Sequence, residues 1–190
     1  DVSSLPDQPL FLVANEFFDA LPIRQFQFDG TTWRERLVGL SEGQLAFGLS
    51  DPIRRTPDAR PFDDPVPGRV VEICAAARPP AEAIGQAIRA HGGAALLIDY
   101  GGWRSAGDTF QAMQSHAFVD PLEAPGQADL TAHVDFEWLA DLLGPTTDYT
   151  SQGAFLKRLG IDQRADRLAR QLSGRALHAH LAAHRRLTHP

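Results

Sequence analysis

Pro9-Leu10-Phe11-Leu12-Val13-Ala14-Asn15-Glu16-Phe17-Phe18-Asp19-Ala20-Leu21-Pro22 is the stretch from which the fold of this chain is read. Leu10 to Ala14 is an unbroken apolar run, short enough to be a strand buried on both faces, as in a parallel sheet. The run stops abruptly on an amide and a carboxylate, Asn15 and Glu16, so these groups fall at the strand's carboxyl end. In open α/β sheets that edge is where ligands bind. Phe17 to Leu21 is expected to make one helical turn before Pro22.

Downstream, Arg24 to Phe28 alternates strictly, Asp29-Gly30 is a hairpin turn, and Thr31 to Val38 reads as the partner strand. Ser41 to Gly43 offers a second turn into Gln44 to Phe47, so residues 23–49 read as an antiparallel β-meander inserted into an α/β frame. Ser50 to Gly68, with five prolines, reads as an extended loop. Arg69 to Ile73 is either a short strand or the lead-in to a helix. Pro79-Pro80 suits a helix start, and Ala83, Ile84, Ala87 and Ile88 give a helical stripe that Gly92-Gly93 ends. Ala94 to Ile98 is a second buried strand, again ending on a carboxylate, Asp99. Two strands that run parallel, with Asp99 on the same edge as Glu16, are the expected result.

Gly101 to Gly126 reads as a long loop with one helical turn near Thr109 to Gln114. Val134 to Leu143 reads as a short helix ended by Gly144-Pro145, and Thr146 to Ser151 as a strand. Residues 161–187 carry a single helical face through Ala165, Leu168, Leu172 and Ala176.

Three segments resemble the MidA-like methyltransferases, the family that includes the mitochondrial protein-arginine methyltransferase assisting respiratory complex I assembly. They are Asn15 to Pro22, Leu96 to Gly101 followed by Gly107 to Ala112, and Asp129 to Phe136, in that order. The resemblance covers roughly residues 9 to 160. It implies an α/β fold, the C-terminal part of a Rossmann-like class I methyltransferase sheet, with the whole of 1–190 as one domain. The family's glycine-rich cofactor loop has no counterpart here, so the chain is expected to be a C-terminal fragment, inactive by itself. S-adenosylmethionine is the cofactor implied for the full-length parent. The partner implied is a protein substrate, a respiratory complex I subunit methylated on arginine. The location implied is the cytoplasm for a bacterial member and the mitochondrial matrix for eukaryotic relatives. A homo-oligomer is also compatible with the sequence. The alternative reading is a non-catalytic assembly or interaction module on a methyltransferase-like frame.

Composition narrows the classes independently. A net charge of -6, with no basic run interleaved with aromatics, argues against a nucleic-acid surface. The single cysteine, Cys74, excludes an internal disulfide. No apolar run approaches the ~20 residues of a membrane-spanning helix. There is no Gly-x-Ser-x-Gly elbow, Walker loop, Cys-x-x-Cys or Gly-x-Gly-x-x-Gly run, so hydrolase, nucleotide triphosphatase and zinc-ribbon readings have no support.

Methyl transfer is an in-line attack in which the protein desolvates the nucleophile, holds it near the methyl group and takes or shields a proton. Asn15, Glu16 and Asp19 are the catalytic candidates on that view. An amide orients N–H groups, and carboxylates localise a cation and accept a proton. Phe17 can pack against a planar cation. Each has a structural alternative: Asn15 or Asp19 as a helix cap, the two phenylalanines as core. Asp99 and Tyr100 can orient substrate and wall the pocket, or merely end a strand. His133 and Asp135, alternating on one strand face, can act as a base and its orienter; alternatively Asp135 caps the helix beginning at Phe136. A metal at His133 and Asp135 would lack a third ligand of convincing spacing, so none is assigned. His180 and His184, four apart, read as a solvated helix face.

Overall fold

The structure, a computed structural model, describes residues 5–53, 66–105, 107–144 and 148–189. The chain divides into two compact units, Asp1–Thr146 and Thr147–Pro190.

In the first unit, β1 (Leu10–Asn15) pairs with β6 (Gly93–Ile98) in parallel, from Leu10 opposite Gly93 to Asn15 opposite Ile98. This is the expected arrangement, and it sets Asn15, Glu16 and Asp99 at one edge. Between these strands in sequence lie β2 (Arg24–Phe28), β3 (Trp33–Ser41), β4 (Gln44–Ile53), β5 (Val70–Ile73) and α1 (Arg78–His91). The first four form an antiparallel sheet of order β4-β3-β2-β5. The hairpin at Glu42-Gly43 has positive φ at both residues (52° and 81°), the geometry of the two-residue turn that matches strand twist. β4 runs to Ile53, beyond the Phe47 at which the alternation fades. Of the proline-rich loop expected over residues 50–68, residues 54–65 lie outside the described residues.

Helix α1 carries Pro79 and Pro80 in its first turn, where missing N–H groups cost nothing, and ends on Gly92, whose N–H reaches the Ile88 carbonyl at 2.8 Å. It packs against β1, β6 and α2 (Phe136–Leu143). The core beneath the strand edge is Phe18, Ala77, Ala81, Val134 and Leu139, with Leu21, Leu97 and Trp138 at its border.

Several expectations are corrected. The strand β1 is not covered on both faces: Phe11 is 81% and Val13 69% exposed, whereas Leu10, Leu12 and Ala14 face inward. Among the described residues β1 pairs only with β6, so one side of the strand and one face stay uncovered. Phe17 to Leu21 is a turn closed by Leu21 N–H to the Phe18 carbonyl, not a helical turn. Among its described residues, the segment from Gly101 holds short strands and no helix: β7 (Gly101–Gly102), β8 (Gln111–Gln114) and β9 (Ala117–Val119). β8 sits between β9 and β10 (Asp129–Thr131), and β7 pairs in parallel with β11 (Val134–Asp135). His133 therefore precedes a strand only two residues long, and does not share a strand face with Asp135.

In the second unit, residues 148–151 form no part of the strand expected over Thr146 to Ser151; α3 (Gln152–Arg158) follows directly, and Ser151 caps it, its Oγ accepting from Ala154 N–H. Residues 146–147, which that strand would have included, lie outside the described residues. The single face expected over 161–187 is split into α4 (Ile161–Ala169) and α5 (Gly174–Thr188). N–H groups of Gln171 and Leu172 bond three residues back and tighten the break, and Ser173 opens the next helix. The helices are joined by His184 Nε2 to Asp162 Oδ1 (2.9 Å) and His180 Nε2 to the Ala165 carbonyl (3.0 Å). These two histidines thus face α4 instead of solvent.

Candidate active site

The edge is built by β1 ending one residue before its polarity peaks. Glu16 N–H donates to the Ile98 carbonyl (2.9 Å), continuing the parallel ladder, and then the chain turns with Glu16 at φ 49°. A left-handed φ on a residue that carries a Cβ costs roughly 1 kcal/mol, and such residues gather where a side chain must be aimed. Asn15, Glu16 and Phe17 all project into solvent at this corner. Phe18 turns inward to the core, and the Phe17 ring stacks edge-on against it at 5.1 Å and 89°.

Asp99 organises the turn. Its Oδ2 accepts from the N–H groups of Phe18 (2.9 Å) and Asp19 (3.4 Å), and its Oδ1 from Tyr100 N–H (2.9 Å). One carboxylate at the end of β6 thereby fixes the corner at the end of β1. Asp19 is 5% exposed. Burial above all, then the Asp99 and Glu16 charges, raises its carboxyl pKa, against backbone hydrogen bonds that lower it.

Asp19 lines an open cleft of about 320 Å³ together with Ile23, Phe110, Leu130, Thr131 and Ala132. That is at the lower end of the roughly 300–1,000 Å³ typical of small-molecule sites. The wall is tied to the corner by Ala132 N–H donating to the Asp19 carbonyl (3.0 Å). Val134 N–H donates to the Tyr100 carbonyl (2.8 Å), which draws the 131–135 segment against the end of β6. Of the residues singled out from sequence, Asn15, Glu16, Phe17, Asp19, Asp99 and Tyr100 share the corner. His133 is exposed beside it. Asp135 caps α2, Oδ1 accepting from Trp138 N–H (2.9 Å). Among the described residues no group of three or more His, Cys, Asp or Glu could hold a metal ion. The cleft walls at Phe110, Leu130 and Thr131 went unassigned in the sequence; their only signal is that they fall inside the second and third motif segments.

Residues 1–155 match the family model Methyltransf_28, described as "Putative S-adenosyl-L-methionine-dependent methyltransferase". The chain belongs to this family. It is 38% identical over 174 residues to the protein arginine methyltransferase NDUFAF7, mitochondrial, of Xenopus tropicalis, covering 86% of this chain and 39% of that protein. The Danio rerio and Homo sapiens proteins of the same name are 40% and 37% identical over 174 residues, again over 86% of this chain and 40% and 38% of theirs. Two crystal structures of a COG1565 superfamily protein from Burkholderia thailandensis share the fold at 27% identity. The one bound to S-adenosyl-homocysteine has a TM-score of 0.75, covering 98% of this chain and 51% of that one. The native form has a TM-score of 0.76, covering 98% and 53%. The family read from the three motifs is thus the one matched, and S-adenosylmethionine is its methyl donor. The chain spans about two-fifths of the length of the curated relatives it matches.

The sequence has no Gly-x-Gly-x-x-Gly turn of the kind that cradles a dinucleotide or sulfonium cofactor, so no cofactor contact is assigned.

Proposed function

We propose that this chain supplies the acceptor side of methyl transfer from S-adenosylmethionine to an arginine of a partner protein. The observation that carries the reading is the convergence of Glu16, Asp19 and Asp99 on one carboxyl edge of a parallel pair, with Asp19 buried and lining a largely apolar cleft. The arginine reading draws on the relatives' printed activity.

When bound, the donor offers an electrophilic methyl group on a positively charged sulfur. The chain's own residues act on the acceptor. Glu16, free-standing at the corner, pairs with the guanidinium and takes the proton that leaves nitrogen as the N–CH3 bond forms. Asn15 orients an N–H through its amide oxygen, and Phe17 covers the planar cation. Asp19 adds negative charge to the cleft when ionised, and its raised pKa suits it to hold a proton transiently. Asp99 holds the geometry of the corner, Tyr100 and His133 form its rim, and Asp135 anchors the segment behind them. These carboxylates belong to a fold read as the C-terminal part of a Rossmann-like sheet, with residues 23–49 inserted. The 190-residue chain alone, without a cofactor loop, is inactive on this reading. The partner implied by the family resemblance is a complex I subunit, in the mitochondrial matrix for a eukaryotic protein and the cytoplasm for a bacterial one.

Incubating the protein as encoded with methyl-labelled S-adenosylmethionine and acceptor proteins tests this. Label recovered after acid hydrolysis as methylarginine supports it. Label on another residue type overturns the substrate class, and binding of the acceptor without any label transfer favours a non-catalytic assembly module.

A further inference from the structure

The net charge of -6 is made up of two units of opposite sign. Residues 147–190 carry Lys157 and seven arginines against Asp148, Asp162 and Asp166, a net of +5. Residues 1–146 carry ten arginines against 21 acidic residues, a net of -11. All eight cations of the smaller unit are exposed, and among the described residues none of them is ion-paired. Its aspartates offer little relief, since Asp162 is already held by His184 Nε2 at 2.9 Å. The family match ends at residue 155, and the function proposed above leaves this unit without a task.

Helix electrostatics account for part of this charge. Lys157, Arg158, Arg167, Arg185 and Arg186 lie in the last turns of α3, α4 and α5, where the macrodipole favours cations. Arg175 is not explained in this way. It stands in the first turn of α5, where the same dipole repels it and no acidic residue offsets it. Arg164, Arg167 and Arg170 recur at three-residue intervals along α4 and its C-terminal cap, a spacing at which like charges are neighbours and repel. An anion laid across these positions relieves the repulsion.

We infer that the unit of residues 147–190 is a docking surface for an acidic segment of a partner protein. Charge complementarity sets the sign of the partner, and the rest of the chain limits its extent. A nucleic-acid duplex or an anionic bilayer is an extended polyanion, long enough to meet the remaining 146 residues and their net charge of -11. A short acidic run is compact enough to lie on the basic helices alone. The exposed leucines speak against a bilayer as well. Leu159 ends α3, Leu168 is on α4, and Leu181 and Leu187 are six residues apart on α5, off the three- or four-residue spacing of one helix face. They do not make the continuous apolar face that lies in a membrane interface. Docking of this kind needs neither the methyl donor nor the strand-edge carboxylates, and so goes beyond the methyl-transfer reading.

The test titrates the protein as encoded into a fluorescein-labelled octaglutamate peptide and follows anisotropy. It is run at about 20 mM and about 300 mM salt, between which the Debye length falls from roughly 20 Å to roughly 6 Å. One variant combines Arg164→Gln, Arg167→Gln and Arg175→Gln, removing charge at exposed positions; its control places Lys at the same three sites and keeps the charge. Wild type and the Lys variant are expected to bind at low salt, the Gln variant about 10-fold more weakly, and wild type at least about 10-fold more weakly at high salt. Arg185→Gln with Arg186→Gln, an independent pair on α5, should weaken binding in the same direction. No binding by wild type at low salt, or equal affinity in wild type and both Gln variants, overturns the docking surface. Binding of a DNA duplex or of phosphatidylserine vesicles as tight as that of the peptide overturns the partner class.

Discussion

Asp19 and Asp99 are both carboxylates at the same corner, yet their surroundings give them different work. Asp99 spends its oxygens on three backbone N–H groups, while Asp19 is buried with a raised pKa. A carboxyl whose folded pKa is raised adds stability only when protonated. That contribution is full below the unfolded-state pKa and is lost as pH rises through the folded one. Near neutral pH the ionised Asp19 therefore opposes folding. Asp19→Asn is expected to raise the unfolding midpoint near neutral pH and to lose this advantage below about pH 4, where the wild-type carboxyl is protonated in both states. Denaturant titrations of both proteins at the two pH values check it; an advantage that is independent of pH would contradict the burial argument. The same substitution should cut methyl transfer, an instance of a site kept at the expense of stability.

At the level of elements, the parallel pair depends on Gly93. A Cβ there would lie 1.9 Å from the Leu10 carbonyl oxygen, at a φ of 110°. Neighbouring Gly92 has φ 79° with nothing within 4 Å of a Cβ. Gly93→Ala should therefore cost on the order of 2–3 kcal/mol, from steric overlap added to strain, and Gly92→Ala about 1 kcal/mol, from strain alone. Equal losses in urea titrations would show that β1 and β6 do not meet as closely as described. The elements legible in the sequence were those whose signal is local. The apolar runs gave β1 and β6, alternation gave β2 and β3, and Pro79-Pro80 with Gly92 bounded α1. Strands of two to four residues, such as β7 to β11, carry no period of their own; their existence depends on partners up to tens of residues away. The site divides the same way. The corner from Asn15 to Asp19 is visible as a polar break after an apolar run. Phe110 and Leu130 reach the cleft through the fold alone; apart from falling inside motif segments they carry no local signal.

For the molecule as a whole, the exposed face of β1 is the largest departure from expectation. Phe11 and Val13 stand 81% and 69% exposed, with Leu96, the register partner of Val13, at 38%. An apolar strand with one edge unpaired invites association with another chain. The isolated 190-residue chain is expected to self-associate, and Phe11→Ser with Val13→Thr should shift it toward monomer in sedimentation velocity. A monodisperse monomer before substitution would contradict this. The same chain, having no glycine-rich loop, should show negligible S-adenosylmethionine binding by calorimetric titration. Glu16 stands just past the end of the parallel strand, with its backbone held in a left-handed turn. Its role is measured most directly by the rate of arginine methylation by the protein as encoded carrying Glu16→Gln, which keeps shape and removes charge. If the Glu16 carboxylate takes the arginine proton, the rate falls about 10²-fold or more with donor affinity little changed; turnover equal to wild type would contradict that role.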